Sequence, residues 1–221
     1  MNAIELLETQ PRDVDELFAR LEQDGRGHER RKSFDALTDL LAIHASIEEL
    51  HFYPTVKKAA RRQKTEEQLE HSLEEHLGIK RRLALAMVTR IDSRDFGRRL
   101  NELKDEVQHH VKEERESLFP TVRSLLDGDQ LEALGQEMIS TMAELRKGHP
   151  RRDVPLQTIA RMPLMDPPPA QSGLGSPIFP RIGRLVALPT EIFGAAKMIK
   201  SAVGGFVHGV QRGLGGKRHA S

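Results

Sequence analysis

Five polar residues stand on helical stripes where apolar residues would be expected. Apolar residues spaced three and four positions apart mark the buried face of a helix. In three segments of this sequence that spacing runs into a histidine, and in two of them a glutamate follows one turn later. The residues concerned are His44, Glu48, His76, His110 and Glu114.

These residue types on a buried face predict a metal site. A buried carboxylate is costly unless it is paired or bound to a metal, and two in one core oppose each other's ionisation. A divalent or trivalent cation removes both costs. Carboxylate oxygens combined with imidazole nitrogens suit iron, manganese or zinc. In a His-x-x-x-Glu pair the two side chains lie about 40° apart on one face of a helix, within reach of one metal or a close metal pair.

A single pair of this kind is common on charged helices, so the interpretation depends on an internal repeat. Residues 44–56 align with residues 110–122 without a gap. The matched pairs are His44 and His110, Glu48 and Glu114, Tyr53 and Phe119, Pro54 and Pro120, Thr55 and Thr121, and Val56 and Val122. Two related helical hairpins that each supply histidine and glutamate to one centre would explain the repeat.

The elements that must position these residues are helices. The pattern predicts helices at about 11–24, 32–53, 65–91, 97–119 and 130–146. We expect Pro54 and Pro120 each to end or kink a helix, and Asp129 to act as the N-cap of the last one. Because the chain has no cysteine, disulfides, thiolate metal sites and cysteine nucleophiles are excluded.

The charge distribution divides the 221 residues into parts of different character. Residues 1–150 carry a net charge of −6 and residues 151–221 a net charge of +7. We predict a helical bundle over 1–148, a Pro/Gly-rich linker over 149–188 and a basic amphipathic helix or tail over 189–221. The apolar stripe of the tail consists of Ile192, Ala196, Ile199, Val203, Phe206 and Val210.

Three interpretations of the basic tail stay open. It could attach to an anionic membrane surface, dock on the acidic bundle or in a groove of a protein partner, or be disordered. No aromatic and basic pattern indicates specific nucleic-acid binding. The sequence has neither a signal peptide nor a run of roughly 18 apolar residues. We therefore expect a cytoplasmic protein, peripheral to the membrane if the tail binds lipid.

Three motifs resemble the hemerythrin-like HHE cation-binding family over roughly residues 3–126. They are His-His-Val-Lys-Glu-Glu-x-x-x-Leu-Phe-Pro at 109–120, His-Ala-x-Ile-Glu-Glu-x-x-Phe-Tyr-Pro at 44–54, and Glu-His-x-x-Ile-Lys at 75–80. The resemblance implies an all-α, up-down four-helix bundle with a carboxylate-bridged di-iron site, here followed by an additional helix. It also implies that His44, His76 and His110 are terminal ligands and that Glu48 and Glu114 bridge the metals.

The N-terminal motif departs from the family. The family opens with a motif like Leu-Leu-x-x-Asp-His-Arg, whose histidine is a ligand, and here Pro11 stands in that position. Proline cannot bind a metal, and we expect it to break or start the first helix. Ser72 replaces a histidine that hemerythrins proper often add. His51 and Asp15 are the candidates for compensating ligands.

The reduced ligand set leaves three outcomes: two irons with water in the gap, one metal, or an empty site. We favour an occupied but weakened site. Three functions are considered: an iron protein that handles or senses oxygen, peroxide or nitric oxide, a non-haem iron enzyme that consumes peroxide, and a metal-free scaffold or membrane adaptor. Metal content separates the last of these from the others.

Overall fold

A computed structural model describes residues 1–23, 27–60 and 62–158 of the chain. Within those residues the structure consists of helices and turns, without strands. The described residues form seven α-helices: α1 (Ala3–Gln23), α2 (His28–Ile47), α3 (Tyr53–Ala59), α4 (Gln63–Met87), α5 (Arg94–Glu113), α6 (Phe119–Leu125) and α7 (Gly128–Arg146). A π-helical turn, Glu48–Phe52, joins α2 to α3, and another, Glu114–Leu118, joins α5 to α6.

The two π-helical turns make continuous rods of α2 with α3 and of α5 with α6. Together with α1 and α4 these rods form the predicted four-helix bundle, and α7 is the additional helix, packed against α1 and α2. In this part of the chain no helix is long and apolar enough to cross a membrane.

Two apolar clusters fill the bundle, one towards each end. One contains Phe52, Tyr53 and Phe119 with the N-terminal turns of α1 and α4. The other contains Phe34 and Phe96, whose rings meet edge to face at 5.0 Å, with the C-terminal turns of α1 and α4. The five predicted ligands lie between the clusters, so the polar centre is enclosed by apolar residues above and below.

The two prolines of the repeat do not end the helical rods, so the predicted ends at about 53 and 119 were wrong, while the alternative expectation of a kink is compatible with the π-helical turns before both prolines. Inside a regular α-helix a proline ring clashes with the carbonyl group four residues earlier. The π-helical turn before each proline widens the backbone at that point. In these turns the Tyr53 N–H donates to the Glu48 carbonyl, and the Phe119 N–H donates to the Glu114 carbonyl. Each acceptor lies five residues earlier in the chain, whereas in an α-helix it lies four residues earlier.

Pro11 lies inside α1, so the expectation that it breaks or starts this helix was also wrong. The helix begins earlier because Asn2 and Glu5 form a reciprocal cap, each backbone N–H donating to the other side chain at 2.9 Å. Burial of Ile4 and Leu7 in the core holds the first two turns in place.

The segment around α7 contains two further differences from expectation. Asp127, not Asp129, is its N-cap and forms a capping box with Gln130. Residues 149–158 pack on the bundle: Val154 is fully buried, and Arg151 pairs with Asp39 of α2. The predicted amphipathic helix at 189–221 and most of the predicted linker lie outside the described residues.

Candidate metal centre

The structure brings all five predicted ligands to one place in the bundle. His44 and Glu48 come from the α2 rod, His76 from α4, and His110 and Glu114 from the α5 rod. All are buried, with between 0% and 8% of each residue exposed. The repeat therefore contributes two matched His/Glu pairs from opposite rods, and α4 adds the third histidine.

The nitrogen Nε2 of each histidine points towards the two glutamates. His44 Nε2 and His76 Nε2 each lie 3.2 Å from Glu48 Oε2. His110 Nε2 lies 3.7 Å from Glu114 Oε2 and 3.1 Å from His76 Nε2. Donor atoms of His44, Glu48, His110 and Glu114 all fall within 4.8 Å of one another. A cation among these four residues would be reached by nitrogen and oxygen donors from the α2 and α5 rods, and His76 of α4 adjoins the group through Glu48 Oε2.

The other ring nitrogen, Nδ1, of each histidine is held by a second side chain. His44 Nδ1 lies 2.8 Å from Gln10 Oε1 of α1. His76 Nδ1 lies 2.9 Å from Glu49 Oε1, and His110 Nδ1 lies 2.9 Å from Glu75 Oε2. Since these partner oxygens are acceptors, Nδ1 donates in each case. Metal-binding histidines have this arrangement, with one nitrogen free for the metal and the other donating to a supporting group.

Several inner atoms lack a hydrogen-bond partner. Both carboxylate oxygens of Glu48, a residue with 0% exposure, and Nε2 of His44 have no hydrogen bond from the described residues. Buried polar groups are rarely left in this state, because the lost hydration costs about 1–3 kcal/mol for each group. A cation of the iron, manganese or zinc type would satisfy all three atoms, so the donor set fits such a metal.

Burial and mutual charge set the titration of the centre. Burial raises the pKa of Glu48 well above its usual value, and the neighbouring Glu114 raises it further. Burial also lowers the pKa values of His44 and His76, assisted by repulsion from the other histidines. The pKa of His110 moves upward, because Glu114 and Glu75 outweigh its burial. His44 and His76 are thus favoured as neutral imidazoles, the form that binds a metal.

Tyr53 is an additional polar residue at the centre. Its hydroxyl donates to Glu114 Oε1 at 2.9 Å and lies 3.2 Å from His76 Nε2. Burial, with the nearby Glu114, raises the Tyr53 pKa well above its usual value, so the residue stays a neutral donor. The hydroxyl orients one glutamate of the centre and completes its hydrogen bonding.

A small cavity lies beside the histidines on the side of α1. Its volume is about 20 Å³, room for about one water-sized molecule. Pro11 and Gln10 line it together with all three histidines, and most of its remaining wall is apolar. Pro11 thus faces the centre, as its position on the apolar stripe predicted.

The two candidates for compensating ligands lie away from the cluster. His51 is buried, but its Nε2 bonds Thr141 Oγ1 of α7 at 2.8 Å. Asp15 is exposed, and the Gln108 side-chain amide approaches it from α5. Neither replaces the missing histidine.

Sequence reasoning missed the supporting residues. Glu49 and Glu75 each adjoin a predicted ligand within the quoted motifs, and Gln10 adjoins Pro11, but no role was assigned to them. Lys80, buried and 2.6 Å from Glu49 Oε1, was also quoted without a role. The acidic residues next to Glu48 and His76 were the available signal, but the sequence could not show which helix each would face.

Comparison with known proteins yields three matches. The profile described as the hemerythrin HHE cation binding domain matches residues 2–122. A protein named DNA nickase, from Nostoc sp. (strain PCC 7120), is 25% identical over 147 residues, which are 66% of this chain and 41% of that protein. This chain therefore spans less than half of the length of that relative.

The third match is a solved structure, the hemerythrin HHE cation binding domain-containing Rv2633c homolog from Mycobacterium kansasii. The two structures superpose with a TM-score of 0.59 and 24% identity, over 66% of this chain and 88% of the other. At this level of identity the likeness shows a shared fold.

Proposed function

Since this chain belongs to the hemerythrin HHE cation-binding domain family, we propose that it binds non-haem iron as a di-iron centre and uses it to handle or sense oxygen, peroxide or nitric oxide. The proposed ligands are His44, His76, His110, Glu48 and Glu114. Manganese and zinc are the alternative metals for this donor set.

One observation carries this proposal. Glu48, at 0% exposure, has two carboxylate oxygens without a hydrogen-bond donor, and Nε2 of His44 faces one of them at 3.2 Å. With its Nδ1 proton donated to Gln10, His44 presents a lone pair to a carboxylate lone pair. Two acceptors at that distance repel each other unless a metal cation or a proton on Glu48 lies between them. A bound metal resolves the conflict at the place where the family has its ligands.

The surroundings of the centre favour a small exogenous ligand. When bound, iron supplies open coordination positions for diatomic molecules or peroxide. The cavity at Pro11, with room for about one water-sized molecule, lies beside the histidines. Its small volume excludes any large substrate.

The inner cavity lies close to the surface between α1 and α5. Pro11, Val14, Val107 and Val111 line both the inner cavity and a wider cleft on the surface. Arg115 and Lys112 stand at the outer cleft beside Asp15 and Glu116. The four shared side chains, three of them valines, are therefore where a small neutral molecule would have the shortest way in from the cleft.

The test is metal content and ligand response of the full-length protein. Protein reconstituted with ferrous iron should retain about one to two irons per chain, and nitric oxide should change its optical spectrum. Less than a tenth of an equivalent of any transition metal would refute the proposal and favour the metal-free scaffold.

Glu114→Gln, with Glu116→Gln as its matched control, tests the ligand assignment. Glu114→Gln should lower iron content and melting temperature together, because stabilisation by the bound metal is lost. In the metal-free protein the same change should be neutral or stabilising, since it removes a buried charge and keeps an oxygen for Tyr53. Exposed Glu116 lies two residues away on the same rod, so its change should leave iron content unaltered.

A further inference from the structure

A second cluster of histidine and glutamate lies on the surface where α4 meets α5. His71 and Glu75 are one turn apart on α4, and His109 and Glu113 are one turn apart on α5. These are two further His-x-x-x-Glu pairs, and neither supplies a proposed ligand of the inner centre. They face each other across the contact between the two helices.

The donor atoms of this cluster converge from both helices. His71 Nε2 lies 2.9 Å from Glu113 Oε2 and 3.8 Å from Glu75 Oε1. His109 Nε2 lies 3.3 Å from Glu113 Oε1 and 3.8 Å from Glu75 Oε1. Donors bound at zinc's usual distances to one tetrahedral ion are separated by about 3.4 Å. Donor atoms of His71, Glu75 and Glu113 all lie within 4.8 Å of one another, and His109 adjoins this group through Glu113 Oε1.

Glu75 Oε1 is an unpartnered atom directed into the cluster. Nine-tenths of the Glu75 side chain is buried, and Oε1 has no hydrogen-bond partner among the described residues. Its other oxygen, Oε2, accepts the bond from His110 Nδ1. Among the described residues no lysine or arginine forms an ion pair with Glu75 or Glu113. The ion-pair partners of these two carboxylates are histidines.

We propose that His71, Glu75, His109 and Glu113 form a second, surface site for a divalent transition-metal cation. Two imidazoles with two carboxylates suit zinc or ferrous iron, whereas magnesium and calcium prefer oxygen donors alone. The cation would neutralise the two carboxylates and give Glu75 Oε1 its missing partner.

Glu75 joins this outer site to the inner centre. One oxygen faces the surface cation and the other holds His110, a proposed inner ligand. The outer cation would therefore be separated from the inner centre by the Glu75 carboxylate alone. It would be open to solvent, because the side chains of His71 and His109 are 58% and 62% exposed. The outer site is an exposed position at which a cation can bind next to the buried centre. Its existence does not depend on which metal the inner centre holds.

The experiment titrates full-length protein, stripped with a chelator, with Zn²⁺ in competition with a chromophoric zinc chelator. The key variant is His71→Ala with His109→Ala, since both side chains are exposed and alanine suits a helix. Wild-type protein should bind one zinc equivalent that the double variant loses or binds at least about tenfold more weakly. His28→Ala, which removes an exposed imidazole elsewhere, should match wild type.

A second variant, Glu113→Gln, removes the negative charge and one carboxylate oxygen from the outer site and leaves the bond between Glu75 and His110 in place. It should weaken the same equivalent and retain the others. Equal stoichiometry and affinity in wild type and both variants would overturn the proposal and leave the cluster as an ion-pair network. If the inner centre binds no zinc, wild type should still bind one equivalent and the double variant none. A failure of the inner-centre assignment can therefore be distinguished from a failure of the outer-site proposal.

Discussion

At the residue scale, the supports of the three histidines differ in charge. His76 and His110 donate to the carboxylates of Glu49 and Glu75, whereas His44 donates to the neutral amide of Gln10. A carboxylate partner makes an imidazole a stronger ligand than an amide does. We therefore expect His44 to be the weakest of the three proposed nitrogen ligands, and it lies on the side of the bundle where Pro11 stands in the position of the family's fourth histidine.

Removing the Gln10 acceptor should weaken metal binding at His44. Gln10→Leu frees the imidazole to rotate and to change tautomer, so we expect metal affinity to fall about 10- to 100-fold. The measurement is a metal titration of the stripped protein. Gln23→Leu is the control, because it makes the same chemical change at an exposed position of α1. Equal affinities in the two variants would show that Gln10 does not support a ligand.

Restoring a histidine at position 11 should strengthen the centre. Pro11 lines the cavity shared by His44, His76 and His110, so a histidine there can direct a nitrogen to the same metal. Pro11→His should raise metal affinity or stoichiometry, and it returns a backbone N–H to the interior of α1. The response to nitric oxide should weaken, because the new side chain fills the cavity. A variant with unchanged affinity would mean that position 11 cannot reach the metal.

At the element scale, the π-helical turns decide which side chains face the centre. In a regular α-helix Tyr53 lies nine residues after His44, a rotation that places it about 180° away. A π-helical turn accommodates about one extra residue. The wider turn reduces that angle to about 80° and brings the Tyr53 hydroxyl to Glu114. The same change of phase turns His51 towards α7.

Loss of the Tyr53 hydroxyl should reveal its role at the centre. Tyr53→Phe removes the donor to Glu114, so we expect metal affinity to fall about tenfold. The metal-free protein should lose about 1–3 kcal/mol in its free energy of unfolding, because a buried acceptor is left unsatisfied.

Phe52→Leu is the control for Tyr53→Phe. Phe52 packs in the same cluster but donates no hydrogen bond, so this variant should lose stability and keep its metal affinity. Tyr53→Phe with wild-type affinity would remove Tyr53 from the centre.

At the scale of the whole molecule, the bundle extends beyond the end of α7. Val154 is fully buried in the cluster with Phe34 and Phe96, and the Arg151 guanidinium pairs with Asp39. These contacts attach residues 149–158 to α2 and α4. A functional unit cut directly after α7 would lack both contacts.

Two truncations test this boundary. A chain ending at residue 158 should keep the metal affinity of the full-length protein. A chain ending at residue 150 should be less stable by about 2 kcal/mol, the value of one buried apolar side chain, because it loses Val154. The free energies of unfolding in urea compare the two. Equal stabilities would show that residues 151–158 contribute nothing to the fold.

The sequence alone determined the class of fold and the placement of the five predicted ligands on helix faces. Both follow from periodicity within single helices. His44 with Glu48 and His110 with Glu114 are one turn apart, and any helix puts such a pair on one face. The repeat and the apolar stripes then indicated that these faces turn inward. Their convergence in the structure agrees with that prediction, while their role as ligands stays a prediction.

Only the tertiary structure decided which side chains support the ligands and where the helices end. Gln10, Glu49 and Glu75 each support a histidine on a different helix. The spacing of residues along one helix does not show which residue of a neighbouring helix each side chain will contact. Tyr53 reaches the centre because a π-helical turn changes the phase of the helix, whereas sequence counting assumes about 100° for every residue. Pro11 stays inside α1 because burial of Ile4 and Leu7, together with the N-terminal cap, outweighs the lost hydrogen bond. Each of these results is a balance between local preference and packing, and the packing exists only once the chain has folded.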